Sequence, residues 1–171
     1  MENEYFYSTE IEWIAQRKGN LSGPHLPDLL IDAPPEFKGQ DGFWTPEHLL
    51  VASVNSCFMT TFLAIAENSK LDVMGLHIEA KGQLEKLEGV GFMMTEIILR
   101  PRVILARDRD SDRALRIIGK AERNCLIASS IRTKITVEPE LSVAPVSNDE
   151  VLRTIHSPNA LVENSSKEAI R

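Results

Sequence analysis

Only two cysteines, Cys57 and Cys125, occur among 171 residues. That excludes a disulfide scaffold, and their separation is far from any zinc-ligand spacing. The four histidines, His25, His48, His77 and His156, are scattered without ligand spacing, so no metal site is expected. An excess of positive charge is also missing. The net charge of −6 argues against a nucleic-acid or anionic-membrane binder. The start, MENEYFYS, lacks a basic region followed by an apolar run, so no signal peptide is expected. A cytoplasmic protein with reduced thiols is the default. No GxSxG, Walker loop or dinucleotide fingerprint is present, and no cofactor is expected. There is no internal repeat and no low-complexity run, and the length suits one domain with a real core.

What the chain does have is a long apolar stretch, Thr45 to Glu67, reading TPEHLLVASVNSCFMTTFLAIAE. Pro46 suits a first helical position, Thr45 can cap, and Glu47 sits where the helix dipole favours an anion. Leu49, Leu50, Val51, Val54, Phe58, Met59, Phe62, Leu63 and Ile65 leave little polar face, which predicts a central, buried helix. Asn55, Ser53, Ser56, Thr60 and Thr61 interrupt it, so it is not read as a membrane span.

Before this helix, Ile11 and Trp13 alternate with Glu10 and Glu12, predicting a half-buried strand. Residues Arg17 to Asn20 read as a turn, and Leu29 to Ile31 as a second extended piece. The segment from Asp32 to Trp44 is loop chemistry, rich in proline, glycine and charge. After the helix, Leu76, Ile78, Ala80 and Leu84 alternate with His77, Glu79, Lys81 and Gln83. A partner strand follows over Phe92 to Leu105, with Met93, Thr95, Ile97, Leu99, Val103 and Leu105 on one face. The two form an antiparallel hairpin candidate, and Pro101 suggests an edge or a bulge. A second helix, capped by Asp110 or Ser111, runs to about Ala128 on a stripe of Ala114, Leu115, Ile118, Ala121, Cys125 and Leu126. A final strand holds Ile131, Ile135 and Val137. Residues 148–155 suit a short helix, and the terminal SPNALVENSSKEAIR suits disorder. The order of elements predicts an α+β layer fold.

The bland account of both thiols is packing, since free cysteine is among the most buried residue types. The chemical account is a redox pair. A thiolate needs cationic or hydrogen-bonding support. Cys57 lies mid-helix, so that support must come from across space, with Thr60 and Thr61 as nearby hydroxyls. Cys125 sits near a helix C-terminus, where the dipole disfavours an anion. That placement suits a resolving thiol or a packed one.

The stretch TPEHLLVASVNSCFMTTFLAIAE resembles the "PE-x-L-L-x-A…C" helix of the OsmC/Ohr family (osmotically inducible protein C and organic hydroperoxide resistance protein). AERNCLIASSIRTKITV is similar to that family's "A…C-x-(I/V)-S" segment, and DAPPEFKGQDGFWTPE to its linker into the central helix. The resemblance covers roughly residues 5–140, so 1–140 is read as an OsmC-like domain and 141–171 as a C-terminal extension. It implies antiparallel sheets wrapped around two long central helices in an intertwined homodimer.

The resemblance further implies a thiol-dependent peroxidase. Cys57 matches the peroxide-attacking cysteine, Cys125 the resolving one, and Glu47 the glutamate that orients an arginine. Arg17 matches the arginine of Ohr-type members; OsmC-type members carry it in the loop before the helix, where this chain has Phe37 and Lys38. Cys57 would become a sulfenic acid and then a disulfide with Cys125. A dithiol, either a lipoyl-bearing protein or a small thiol, would regenerate the enzyme. The apolar surround of Phe58, Met59, Phe62, Phe37, Phe43 and Trp44 favours organic hydroperoxides over hydrogen peroxide. A non-catalytic OsmC-like module that binds a small molecule, or senses redox state, is the competing reading. Glu47 and Cys57 lie about 15 Å apart along one helix and differ by roughly 80° in facing. A shared site therefore requires a second subunit or a bridging arginine.

Overall fold

A computed structural model describes residues 4–145. Strands β1 (Glu10–Ala15), β2 (Lys18–Ser22) and β3 (Leu29–Ile31) form an antiparallel sheet in that order. The long helix α1 (Pro46–Asn68) follows, then the hairpin β4 (Val73–Leu87) and β5 (Gly91–Leu105). Helix α2 (Ser111–Asn124), the one-turn α3 (Leu126–Ser129), β6 (Lys134–Val137) and β7 (Glu140–Val143) complete the described chain. β6 and β7 both pair parallel to β5, end to end along its far edge from β4. The result is the expected α+β layer fold, with α1 and α2 packed on the larger sheet. The helix expected over 148–155 and the tail SPNALVENSSKEAIR lie outside the described residues.

α1 starts as the sequence predicts. Thr45 accepts the His48 N–H, and Pro46 occupies the first turn. It ends in a left-handed Lys70, with Leu71 N–H bonded back to Ala66 O at 2.9 Å. Its buried stripe is Val54, Phe58, Phe62 and Ala66, one residue per turn. These meet Ile97, Leu99, Val103 and Leu105 of β5 and Ala114, Ile117, Ile118 and Ala121 of α2 in a single core. The apolar composition predicts a helix buried all round, but only this one stripe is buried. Met59 and Leu63 are each 40% exposed on the opposite face.

Several local expectations shift by a few residues, each for a physical reason. The turn between β1 and β2 is Gln16–Arg17, and Lys18 to Asn20 are strand. The left-handed Gln16 closes it tightly, so Arg17 stays in the turn and Lys18 begins the strand. β1 forms, but the half-burial expected of it does not. Ile11 and Trp13 are 63% and 74% exposed, because no described element of this chain covers that face. On β5, Met94 faces the core in place of Met93 and Thr95. The register with β4 slips between Gln83 and Leu84, and this bulge reverses the alternation beyond it. Pro101 is buried in register with Ile78, at the break between the β6 and β7 pairings, where a missing N–H leaves no gap in either ladder.

Candidate functional site

The two thiols meet where α1, α2 and α3 converge. Cys57 sits in the middle of α1, half-buried, and Cys125 is 1% exposed at the end of α2. The helix expected to run on to Ala128 breaks at Cys125, whose extended backbone (φ −67°, ψ 108°) separates α2 from α3. The break has a chemical consequence. It creates a new helix start, and the Ile127 N–H donates to Cys57 Sγ at 3.5 Å. The support that a mid-helix thiol lacks in its own helix therefore arrives from another.

The electrostatics of the pair are opposed. Burial raises the Cys57 thiol, but hydrogen bonds outweigh it: from the Ile127 N–H first, then the Cys125 thiol, the Thr61 hydroxyl and the Leu126 N–H. The net direction is downward from the ordinary thiol value of 9.0. Burial pushes Cys125 up to about 11, and the neighbouring Cys57 adds to that rise. One thiol is thus poised to ionise and the other to stay protonated. Of the two candidate hydroxyls, Thr61 reaches Cys57, whereas Thr60 bonds the backbone carbonyls of Ser56 and Cys57.

Glu47 and Arg17 lie elsewhere. Glu47 Oε2 is buried without a hydrogen-bond partner among the described residues. It lines a cleft of about 730 Å³ between the loop before α1, the first turns of α1 and the β4–β5 hairpin. Phe37 and Phe92 meet edge to face across that cleft, their centroids 5.1 Å apart. Arg17, at the β1–β2 turn, is exposed and donates to Lys38 O at 3.4 Å. Lys38 closes the turn Pro35–Phe37 in a left-handed conformation. Within the chain, neither Glu47 nor Arg17 is among the groups that hydrogen-bond Cys57. The loop itself is braced by buried Asp32, whose carboxylate accepts the Ala33 and Gln40 N–H groups.

The Leu126 and Ile127 amides have no signature in the residues, because they matter only through the break at Cys125. That break carries no glycine or proline. The apolar stripe differs as well: Leu115 and Leu126 are 46% and 71% exposed, and Ile117 is buried in their place.

Residues 39–140 match the family model described as OsmC-like protein. The Bacillus subtilis protein YmaD is 31% identical over 148 residues, spanning 84% of this chain and 97% of that protein. An OsmC-like protein of Vibrio cholerae superposes with a TM-score of 0.74 at 23% identity, covering 80% of this chain and 99% of that one. The organic hydroperoxide resistance protein OhrB of Bacillus subtilis superposes with a TM-score of 0.60 at 23% identity, covering 81% and 98%. By the extent of these matches, the chain belongs to the OsmC/Ohr family of OsmC-like proteins.

Proposed function

We propose that the protein is a thiol-dependent peroxidase that reduces organic hydroperoxides. The observation that carries this reading is the meeting of the two thiols at the α2–α3 break, where the Ile127 N–H donates to Cys57 Sγ at 3.5 Å; the same contacts lower Cys57 while burial raises Cys125. The Cys57 thiolate attacks the distal peroxide oxygen. The O–O bond breaks, the alkoxide leaves and takes a proton, and Cys57 becomes a sulfenic acid. Cys125 then attacks that sulfur, giving the Cys57–Cys125 disulfide and one water. A dithiol, lipoyl-bearing or small, reduces the disulfide by exchange. Cys125 stays protonated until the sulfenic acid forms, so it does not compete for peroxide.

Glu47 receives a cation in this reading, and Arg17 is that cation. A buried carboxylate oxygen without a partner calls for one. The site is completed in a homodimer, with Glu47 facing the thiol of the second copy. The length of α1 supports this, as do two uncovered apolar faces: Ile11 and Trp13 on β1, and Met59 and Leu63 on α1. The apolar cleft beside Glu47 favours an organic peroxide over hydrogen peroxide. The protein is read as cytoplasmic, where a dithiol pool is present.

One observation favours a second reading, a non-catalytic module that binds a small molecule in the cleft: neither cysteine lines it. Peroxide consumption separates the two. The peroxidase loses turnover in Cys57→Ser and stalls without a disulfide in Cys125→Ser. If Cys57→Ser consumes cumene hydroperoxide as fast as the unmodified protein, the binding module is correct.

A further inference from the structure

The first turn of α1 holds a second polar group that the thiol chemistry does not use. Thr45 Oγ1 is buried at 2% exposure, accepts the His48 backbone N–H at 3.3 Å and lies 3.0 Å from His48 Nδ1. A buried hydroxyl proton needs an acceptor, and Nδ1 is the one within reach among the described residues. The Thr45 hydroxyl therefore donates to Nδ1. The proton of the neutral imidazole is then on Nε2, at the ring edge away from Thr45, where it has no partner among the described residues. The Trp44 ring meets the imidazole edge to face, with centroids 6.2 Å apart, which restrains its swing.

His48 lines the same cleft as Glu47, between apolar walls that include Phe37, Val51 and Phe92. Those walls suit an organic group. Glu47 Oε2 can accept from the hydroxyl of such a ligand but cannot donate to it. The Nε2–H adds a donor on the α1 side of the cleft. We propose that His48 is a substrate-binding residue: locked by Thr45 as the Nε2–H tautomer, it donates a hydrogen bond to an oxygen of the organic peroxide and of its alcohol product. This rests on the peroxidase reading for the identity of the ligand, though the tautomer and the cleft stand without it.

The test is a titration with cumyl alcohol, a product of the proposed reaction, followed by nitrogen–proton correlation of the histidine ring at a pH of about 8, above the ordinary histidine range. Unmodified protein is expected to show Nε2–H before addition and a shifted Nε2 signal after it. Thr45→Val should mix the tautomers. His48→Gln, whose amide nitrogen reaches the Nε2 position, should keep the dissociation constant within about twofold. His48→Asn, which does not reach it, should weaken binding about five- to tenfold, the scale of one neutral hydrogen bond. A protonated Nδ1, unchanged affinity in His48→Asn, or no binding by the unmodified protein would each overturn the inference. Turnover separates it from the reading it rests on. Alcohol binding through His48 with no peroxide consumption leaves the site standing and removes the peroxidase. Peroxide consumption with equal KM in unmodified protein and His48→Asn removes the site and leaves the peroxidase.

Discussion

The Ile127 N–H lies 3.5 Å from Cys57 Sγ, joining two residues seventy positions apart in the chain. This bond exists because α2 breaks at Cys125, so one residue both ends a helix and aims the next at its partner thiol. The same break holds the Cys125 thiol as a donor to Cys57.

That donor role sets a pH signature. Cys57 should alkylate with a midpoint below 9.0, and Cys125 with one near 11. Cys125→Ala removes a hydrogen bond to the thiolate, so the Cys57 midpoint should rise. Cys125→Ser keeps a hydroxyl donor and should hold it lower than the alanine variant. Iodoacetamide rates against pH, with peptide mapping, check the order. Equal midpoints in the two variants would remove Cys125 as a donor.

Stability should depend on the α1 stripe. Phe58 is 1% exposed and lies in the core beside Phe62, ring centroids 6.5 Å apart. Phe58→Ala should destabilise the fold by about 3–5 kcal/mol. Met59→Ala, at the uncovered face, should cost the isolated chain under about 1 kcal/mol. Urea unfolding of both, over a range of protein concentrations, gives the comparison. In a dimer that covers Met59, its effect should grow at concentrations where the copies associate.

The loop that walls the cleft depends on Gly39. A Cβ there would lie 1.6 Å from Ala33 O, a backbone atom that cannot swing aside. Gly39→Ala should therefore spread the loop, destabilise the protein by about 1–3 kcal/mol, and weaken cleft binding while the Cys57 alkylation midpoint stays put. Thermal melts and thiol labelling on the same sample check both halves.

The uncovered β1 face makes a separate prediction. Trp13→Asp should shift a homodimer toward monomer in sedimentation and reduce peroxide turnover with it, since the proposed site takes Glu47 from the second copy. A monomeric unmodified protein at micromolar concentration would contradict this.

Much of the fold is legible in the residues because it follows local rules. The Thr45 cap, Pro46 and the apolar body define α1, and alternation defines the β4–β5 hairpin. What escapes has a nonlocal cause. The slip beside Thr95 swaps Met93 for Met94 through pairing with β4, which no single strand encodes. Ile11 and Trp13 carry a burial pattern that the described residues do not satisfy. At the site, both thiols are visible in the sequence, but the amides that distinguish them are not. Backbone N–H groups belong to every residue type but proline, and only the break at Cys125 gives two of them a task.

The most direct measurement is mass spectrometry of the protein after one equivalent of cumene hydroperoxide. The account predicts an intramolecular Cys57–Cys125 disulfide in unmodified protein, and a Cys57 sulfenic acid trapped by dimedone in Cys125→Ser. Two free thiols after peroxide exposure, or oxidation of Cys125 ahead of Cys57, would contradict it.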